Sequence, residues 1–150
     1  MSERFTKSAA RNIFYGGSGF FFLVFLSLTA QSHWHILNRS TDTATLSPSV
    51  VNGKTIWEKN ACINCHSLLG EGAYFAPELG NVWVRYGGKK DPKGARESLI
   101  AWIQSQPTGI EGRRQMPHFN LSDQDLNDLV DFLEWTSRIN TQGWPPNDAG

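Results

Sequence analysis

Cys62-Ile63-Asn64-Cys65-His66 dictates most of what can be built around it. Two thiols at this spacing can form thioether bonds to the vinyl groups of a haem. The adjoining imidazole then binds the iron from one face, so the run reads as c-type haem attachment. These are the only two cysteines in the chain, which leaves no disulfide framework to propose. The competing readings are a thioredoxin-like dithiol and half a zinc site. A dithiol of that kind comes with a βαβ pattern, which is not found here, and a structural zinc needs about four ligands at tetrahedral spacing. His66, directly after the second cysteine, favours haem.

Upstream, Ile13 to Ala30 is an apolar run interrupted only by Gly, Ser, Thr and one Tyr. As a helix its length of ~27 Å comes close to the ~30 Å hydrocarbon core of a bilayer. A cleaved signal peptide is the competing reading, but the apolar region is longer than the usual ~7 to 15 residues and Leu28 is too large for a small-x-small cleavage site. A retained anchor is expected, with Trp34 at its outer interface. His33 and His35 flank that Trp and read as solvated side chains. The small residues Gly16, Gly17, Ser18 and Gly19 would let another membrane helix approach closely.

Basic residues precede this helix: Arg4, Lys7 and Arg11 stand against Glu3. They place the N-terminus on the cytoplasmic side and everything after the helix outside, where c-type haem belongs. Overall the 14 basic and 14 acidic residues balance, and no nucleic-acid partner is expected.

Beyond the anchor, residues 38–49 lack hydrophobic period and read as a linker or a strapped-down extended segment. Three helices follow. Ser47-Pro48 supplies an N-cap and a first-turn proline for a helix to Lys59, with Gly53 and Trp57 on one face. Asp91-Pro92 opens the second, with Leu99, Ile100 and Ile103 on its buried side, ending before Pro107. Ser122 and Asp125 make a capping-box start to the third, where Leu126, Leu129, Val130 and Leu133 recur at helical spacing. Residues 67–90 sustain no strand pattern and read as a long packed loop, unusual in a small domain unless a cofactor supplies part of its core.

The second axial ligand of the iron must come from downstream, where Met116 and His118 are the candidates. Met116-Pro117 lies in an irregular stretch between two helices and is favoured; methionine raises the potential relative to histidine. With His66 and Met116 both bound, no iron position is left for a substrate, so the chain reads as an electron carrier. Gly70 to Phe75 can present backbone carbonyls to a cation such as calcium, although a plain loop fits its composition better. Arg113 and Arg114 can pair with haem propionates or be solvated.

Three helices around Cys-x-x-Cys-His with a later Met-Pro resemble a class I cytochrome c domain, in which the first and last helices cross; Gly53, Trp57, Leu133 and Trp135 would form that crossing. The expected architecture is all-α, a single N-terminal transmembrane helix followed by that domain: anchor and tail 1–37, linker 38–49, cytochrome c domain 50–150. The uncleaved anchor, the run from Cys62 through Asn81, the Gln106-Pro107-Thr108-Gly109 turn and Gly112-Arg113-Arg114-Gln115-Met116-Pro117 resemble the small cytochrome c subunit of bacterial cytochrome-c-dependent nitric oxide reductase. That resemblance implies one covalent haem c on Cys62 and Cys65 with His66 and Met116 as axial ligands. It also implies a place in the bacterial inner membrane with a periplasmic haem domain, and a periplasmic cytochrome c or cupredoxin as donor. The implied partner is a large catalytic membrane subunit with b-type haems, where nitric oxide is reduced to nitrous oxide in denitrification. A calcium ion at the interface between the two, held by backbone oxygens of Gly72 and Tyr74, is implied as well. The rival expectation is a cytochrome subunit of a haem-copper oxidase, or a free membrane-anchored shuttle.

Overall fold

A computed structural model describes residues 6–112 and 114–143. The chain divides into two units, Met1–Ser40 and Thr41–Gly150.

In the first unit a single helix, α1 (Lys7–His35), starts at Thr6, whose Oγ1 accepts the Ala9 N–H at 3.2 Å. It is 29 residues long, or ~44 Å, because the polar flanks of the apolar run also continue in helical geometry. It is long and apolar enough to cross a membrane, and none of its residues is buried. A Cβ added at Gly16, Gly17 or Gly19 would meet no atom within 4 Å. After His35 the chain does not become extended at once, as the reading of 38–49 anticipated. Asn38 Nδ2 donates to Trp34 O at 2.8 Å and a wide π-helical turn, Ile36–Ser40, carries the chain on. The Arg39 guanidinium lies 5.9 Å from the centre of the Trp34 ring.

The second unit holds α2 (Pro48–Lys59), a two-stranded antiparallel hairpin of β1 (Ser67–Leu68) and β2 (Glu71–Gly72), the short α3 (Val82–Arg85), α4 (Pro92–Gln104) and α5 (Asp123–Thr136). The caps read from sequence are the ones that act. Ser47 Oγ accepts Val50 N–H, Asp91 accepts Gly94 N–H, and Ser122 with Asp125 forms the reciprocal capping box. Each satisfies backbone donors that a helix start leaves unpaired.

The core lies where α2, α4 and α5 pack: Val50, Ile56, Trp57, Leu99, Ile103 and the Leu126–Leu129–Val130–Leu133 face are all buried. Ile100, expected on the buried side, is only half-buried against this cluster. The α2–α5 crossing turns on Gly53. A Cβ there would stand 2.0 Å from Asp128 O and 2.7 Å from Phe132 Cβ, so only glycine permits this approach. Trp57 meets Phe132, ring centres 6.3 Å apart. Trp135, expected in the crossing, is half-buried against the core cluster and also donates its Nε1–H to Thr45 Oγ1 at 3.0 Å, which straps residues 41–47 onto the unit.

Polar groups stitch the same helices. Asp128, 4 % exposed, accepts from Asn52 Nδ2 at 2.6 Å and Gln124 Nε2 at 2.7 Å, and Ser49 Oγ lies 2.5 Å from both Asp128 and Asp131. Burial acts to raise the Asp128 pKa, but donors from Ser49, Asn52 and Gln124 outweigh it and hold the carboxyl below its ordinary range. Arg96 on α4 pairs with Asp131 at 2.5 Å and Glu134 at 3.3 Å on α5.

Candidate functional site

The cysteine motif begins where α2 ends. Ala61, at φ +51°, turns the chain out of the helix. Cys62–Asn64 winds into a single tight turn, and Cys62 O accepts the N–H groups of both Cys65 and His66, at 3.1 and 2.9 Å. Both thiols and the imidazole are therefore gathered on one turn. All three residues are half-buried, and neither cysteine is in a disulfide. Burial pushes the Cys62 thiol up to about 11. The attacking thiol of a thiol-disulfide oxidoreductase is shifted the opposite way.

His66 Nδ1–H donates to Pro77 O at 2.8 Å. This bond fixes the tautomer and leaves Nε2 as the free, basic nitrogen, the usual preparation of a histidine for a metal. Burial is the main influence on its pKa and lowers it below the ordinary histidine value, which keeps the ring in the neutral form that can ligate. The Trp57 ring lies 6.4 Å from the imidazole, so the helix crossing abuts the ligand directly.

The segment after the motif, read as a packed loop, clamps it. Ala73 N–H donates to Ile63 O, Ala76 N–H to Cys65 O and Leu79 N–H to Ser67 O, at 3.0, 2.8 and 2.9 Å. Gly72, at φ +120°, passes so close that a Cβ would stand 2.3 Å from His66 O. Gly72 and Tyr74 are both exposed, with Tyr74 Oη donating to Gly70 O at 3.1 Å. The hairpin and α3 are the regular structure within a stretch expected to have none; both are too short for sequence periodicity to mark them.

Met116 is half-buried and packs on the same core cluster as Cys62, Leu68 and Leu79. The alternative, His118, donates its Nδ1–H to Gln106 O at 3.1 Å, which orients its ring by the end of α4. Arg114 reaches back across the site: its guanidinium lies 4.2 Å from the centre of the Phe75 ring and donates to Phe75 O at 2.9 Å. Arg113 lies outside the described residues.

Two free thiols and a neutral, pre-oriented imidazole on one turn form a donor set that fits covalent haem. The residues that hold it in place include two that sequence reasoning passed over. Pro77 acts through its backbone carbonyl, which leaves no trace in residue type. Glu78 is a buried carboxylate whose partners are backbone N–H groups, again invisible in the sequence.

Comparison with known proteins places residues 50–137 within the cytochrome c family. Over the whole of both chains, 150 residues, the sequence is 63 % identical to the nitric oxide reductase C subunit of Halomonas halodenitrificans and 62 % identical to that of Paracoccus denitrificans. Identity to the equivalent chain of Cereibacter sphaeroides is 57 %, again over the full length of both.

Proposed function

This chain belongs to the family of nitric oxide reductase C subunits and carries a cytochrome c domain, and from that premise we propose that it is the electron-transfer subunit of a nitric oxide reductase. The observation that carries the reading is His66, neutral, with Nδ1 committed to Pro77 O, beside the two thiols.

In this reading Cys62 and Cys65 would hold a haem covalently through their thiols, and His66 Nε2 and the Met116 sulfur would be the protein ligands of its iron. A haem so held would supply a one-electron couple. Methionine raises the potential, so the chain is suited to accept electrons from a periplasmic cytochrome c or cupredoxin. The partner that receives them is the large membrane subunit with its b-type haems, where nitric oxide is reduced to nitrous oxide and water. This chain itself carries out no substrate chemistry. Residues 1–37 anchor it, 38–49 connect, and 50–150 form the haem domain on the periplasmic side. The basic residues before α1 support that orientation. The exposed Gly72 and Tyr74 support a calcium ion at the interface with the large subunit, bound through their carbonyl oxygens.

The deciding experiment is co-purification from membranes with the large subunit, followed by nitric oxide consumption with reduced cytochrome c as donor. Consumption that depends on this chain is expected. A fully haem-loaded complex that consumes oxygen but leaves nitric oxide untouched would sink the reading. Treating the same complex with a calcium chelator should loosen the two subunits; no change in their association would remove the calcium assignment.

A further inference from the structure

Glu78 is the residue directly after the carbonyl that orients His66, and it is only 5 % exposed. Its Oε1 accepts the N–H groups of Leu69 and Gly80, each at 2.7 Å, and Oε2 accepts Gly70 N–H at 3.1 Å. Leu69 and Gly70 form the hairpin turn, both at positive φ (+54° and +87°), a conformation unfavourable for leucine. The carboxylate thus joins the two ends of the 69–80 loop. Glycine at 80 leaves room for this: a Cβ there would lie 2.8 Å from Glu78 Oε1 and 2.9 Å from Leu69 Cδ2, and both side chains would have to shift. The backbone of Glu78 is held too, its carbonyl accepting Arg85 Nη2 at 2.5 Å. Burying a carboxylate costs several kcal/mol unless its hydrogen bonds are made. Burial acts to raise the Glu78 pKa, but the Gly80, Gly70 and Leu69 N–H donors together with the Ser67 hydroxyl outweigh it and hold the carboxyl below its ordinary range. The fixed charge is felt at His66, where Glu78 and Arg85 act with opposite sign.

We propose that Glu78 is a positioning residue for the haem iron: its carboxylate locks the loop that carries Pro77 O, and its buried negative charge favours the oxidised state of the iron bound by His66. The proposal rests on His66 being the haem ligand. A fixed negative charge stabilises the more positive, ferric form, so removing it must raise the midpoint potential. Glu78→Gln keeps the shape and the acceptor for Leu69 and Gly80, but loses the charge and the bond to Gly70. Glu78→Ala removes all three bonds.

The test is a redox titration of the haem in the intact purified complex, wild type against Glu78→Gln, with covalent haem content measured in both. The expected result is normal haem content with the one-electron equilibrium moved about tenfold toward the reduced form, or ~59 mV upward. In Glu78→Ala, the backbone amides of the segment 69–80 should exchange with solvent at least about tenfold faster, because the buried donors have lost their acceptor. A full haem load with an unmoved potential in Glu78→Gln and unchanged exchange in Glu78→Ala overturns the proposal while leaving the haem reading intact. Wild-type protein from which acid-acetone removes all haem overturns that reading, and the proposal with it.

Discussion

Replacing Gly53 by alanine tests the helix crossing on which the site is built. The added methyl carbon would stand 2.0 Å from Asp128 O, 2.6 Å from Asp128 C and 2.7 Å from Phe132 Cβ. Two of these obstacles are backbone atoms of α5, so no rotamer change relieves the clash; the two helices must separate. Overpacking of a core costs about 1–3 kcal/mol, and a backbone obstacle puts this case near the upper end. Alanine returns about 1 kcal/mol through helix propensity, leaving a net loss of about 2 kcal/mol. For a domain near 100 residues each kcal/mol shifts Tm by about 4–8 °C, so the midpoint should fall by about 8–16 °C. Near-UV circular dichroism of the purified chain reports the tertiary packing of the buried aromatic residues, Trp57 and Trp83 among them, as it melts. Gly16→Ala, at a position with nothing within 4 Å, is the control and should not destabilise. A Gly53→Ala midpoint as high as that of the control would refute the close crossing.

Acid should destabilise the second unit through Glu78 and Asp128. Both carboxyls are held below their ordinary pKa, so their contribution is complete above about pH 4–5 and is lost as pH falls through the lowered values. A melting series against pH should be flat near neutrality and drop in acid, and Asp128→Asn, which sets an amide against the Asn52 and Gln124 donors, should cost about 1–3 kcal/mol at neutral pH. Met116→Ala should abolish the methionine-to-iron charge-transfer band of the ferric haem while His118→Ala retains it; a wild type that lacks this band, with a low-spin spectrum lost only in His118→Ala, would move the ligand to His118. Arg114→Ala, which removes the ring contact and the bond to Phe75 O, should weaken that band more than Arg114→Lys does, read by absorption at equal haem content.

The helices were legible because their signals are local. Ser47-Pro48, Asp91-Pro92 and Ser122 with Asp125 announce their own ends, and the leucine spacing of α5 states its buried face. The crossing was legible only in part. Spacing names a face but not a register, so Gly53 was found while its true partners, Asp128 and Phe132, were not, nor was the bond from Trp135 to Thr45. The segment after His66 was hardest to read. It is held by carbonyls of the cysteine motif and by the Glu78 carboxylate, bonds between residues whose types carry no mark of the pairing. The donor atoms of the site were nevertheless visible, because thioether attachment confines two cysteines and a histidine to five consecutive positions.

Electrons used to reduce nitric oxide should pass through the haem on this chain. Rapid mixing of the fully reduced, purified complex with nitric oxide, with the absorption of haem c followed separately from that of the b-type haems, tests this route most directly. Haem c should be oxidised within the time of a single turnover and be re-reduced when donor is supplied. Nitric oxide consumption at the normal rate while haem c stays reduced throughout would rule out this route.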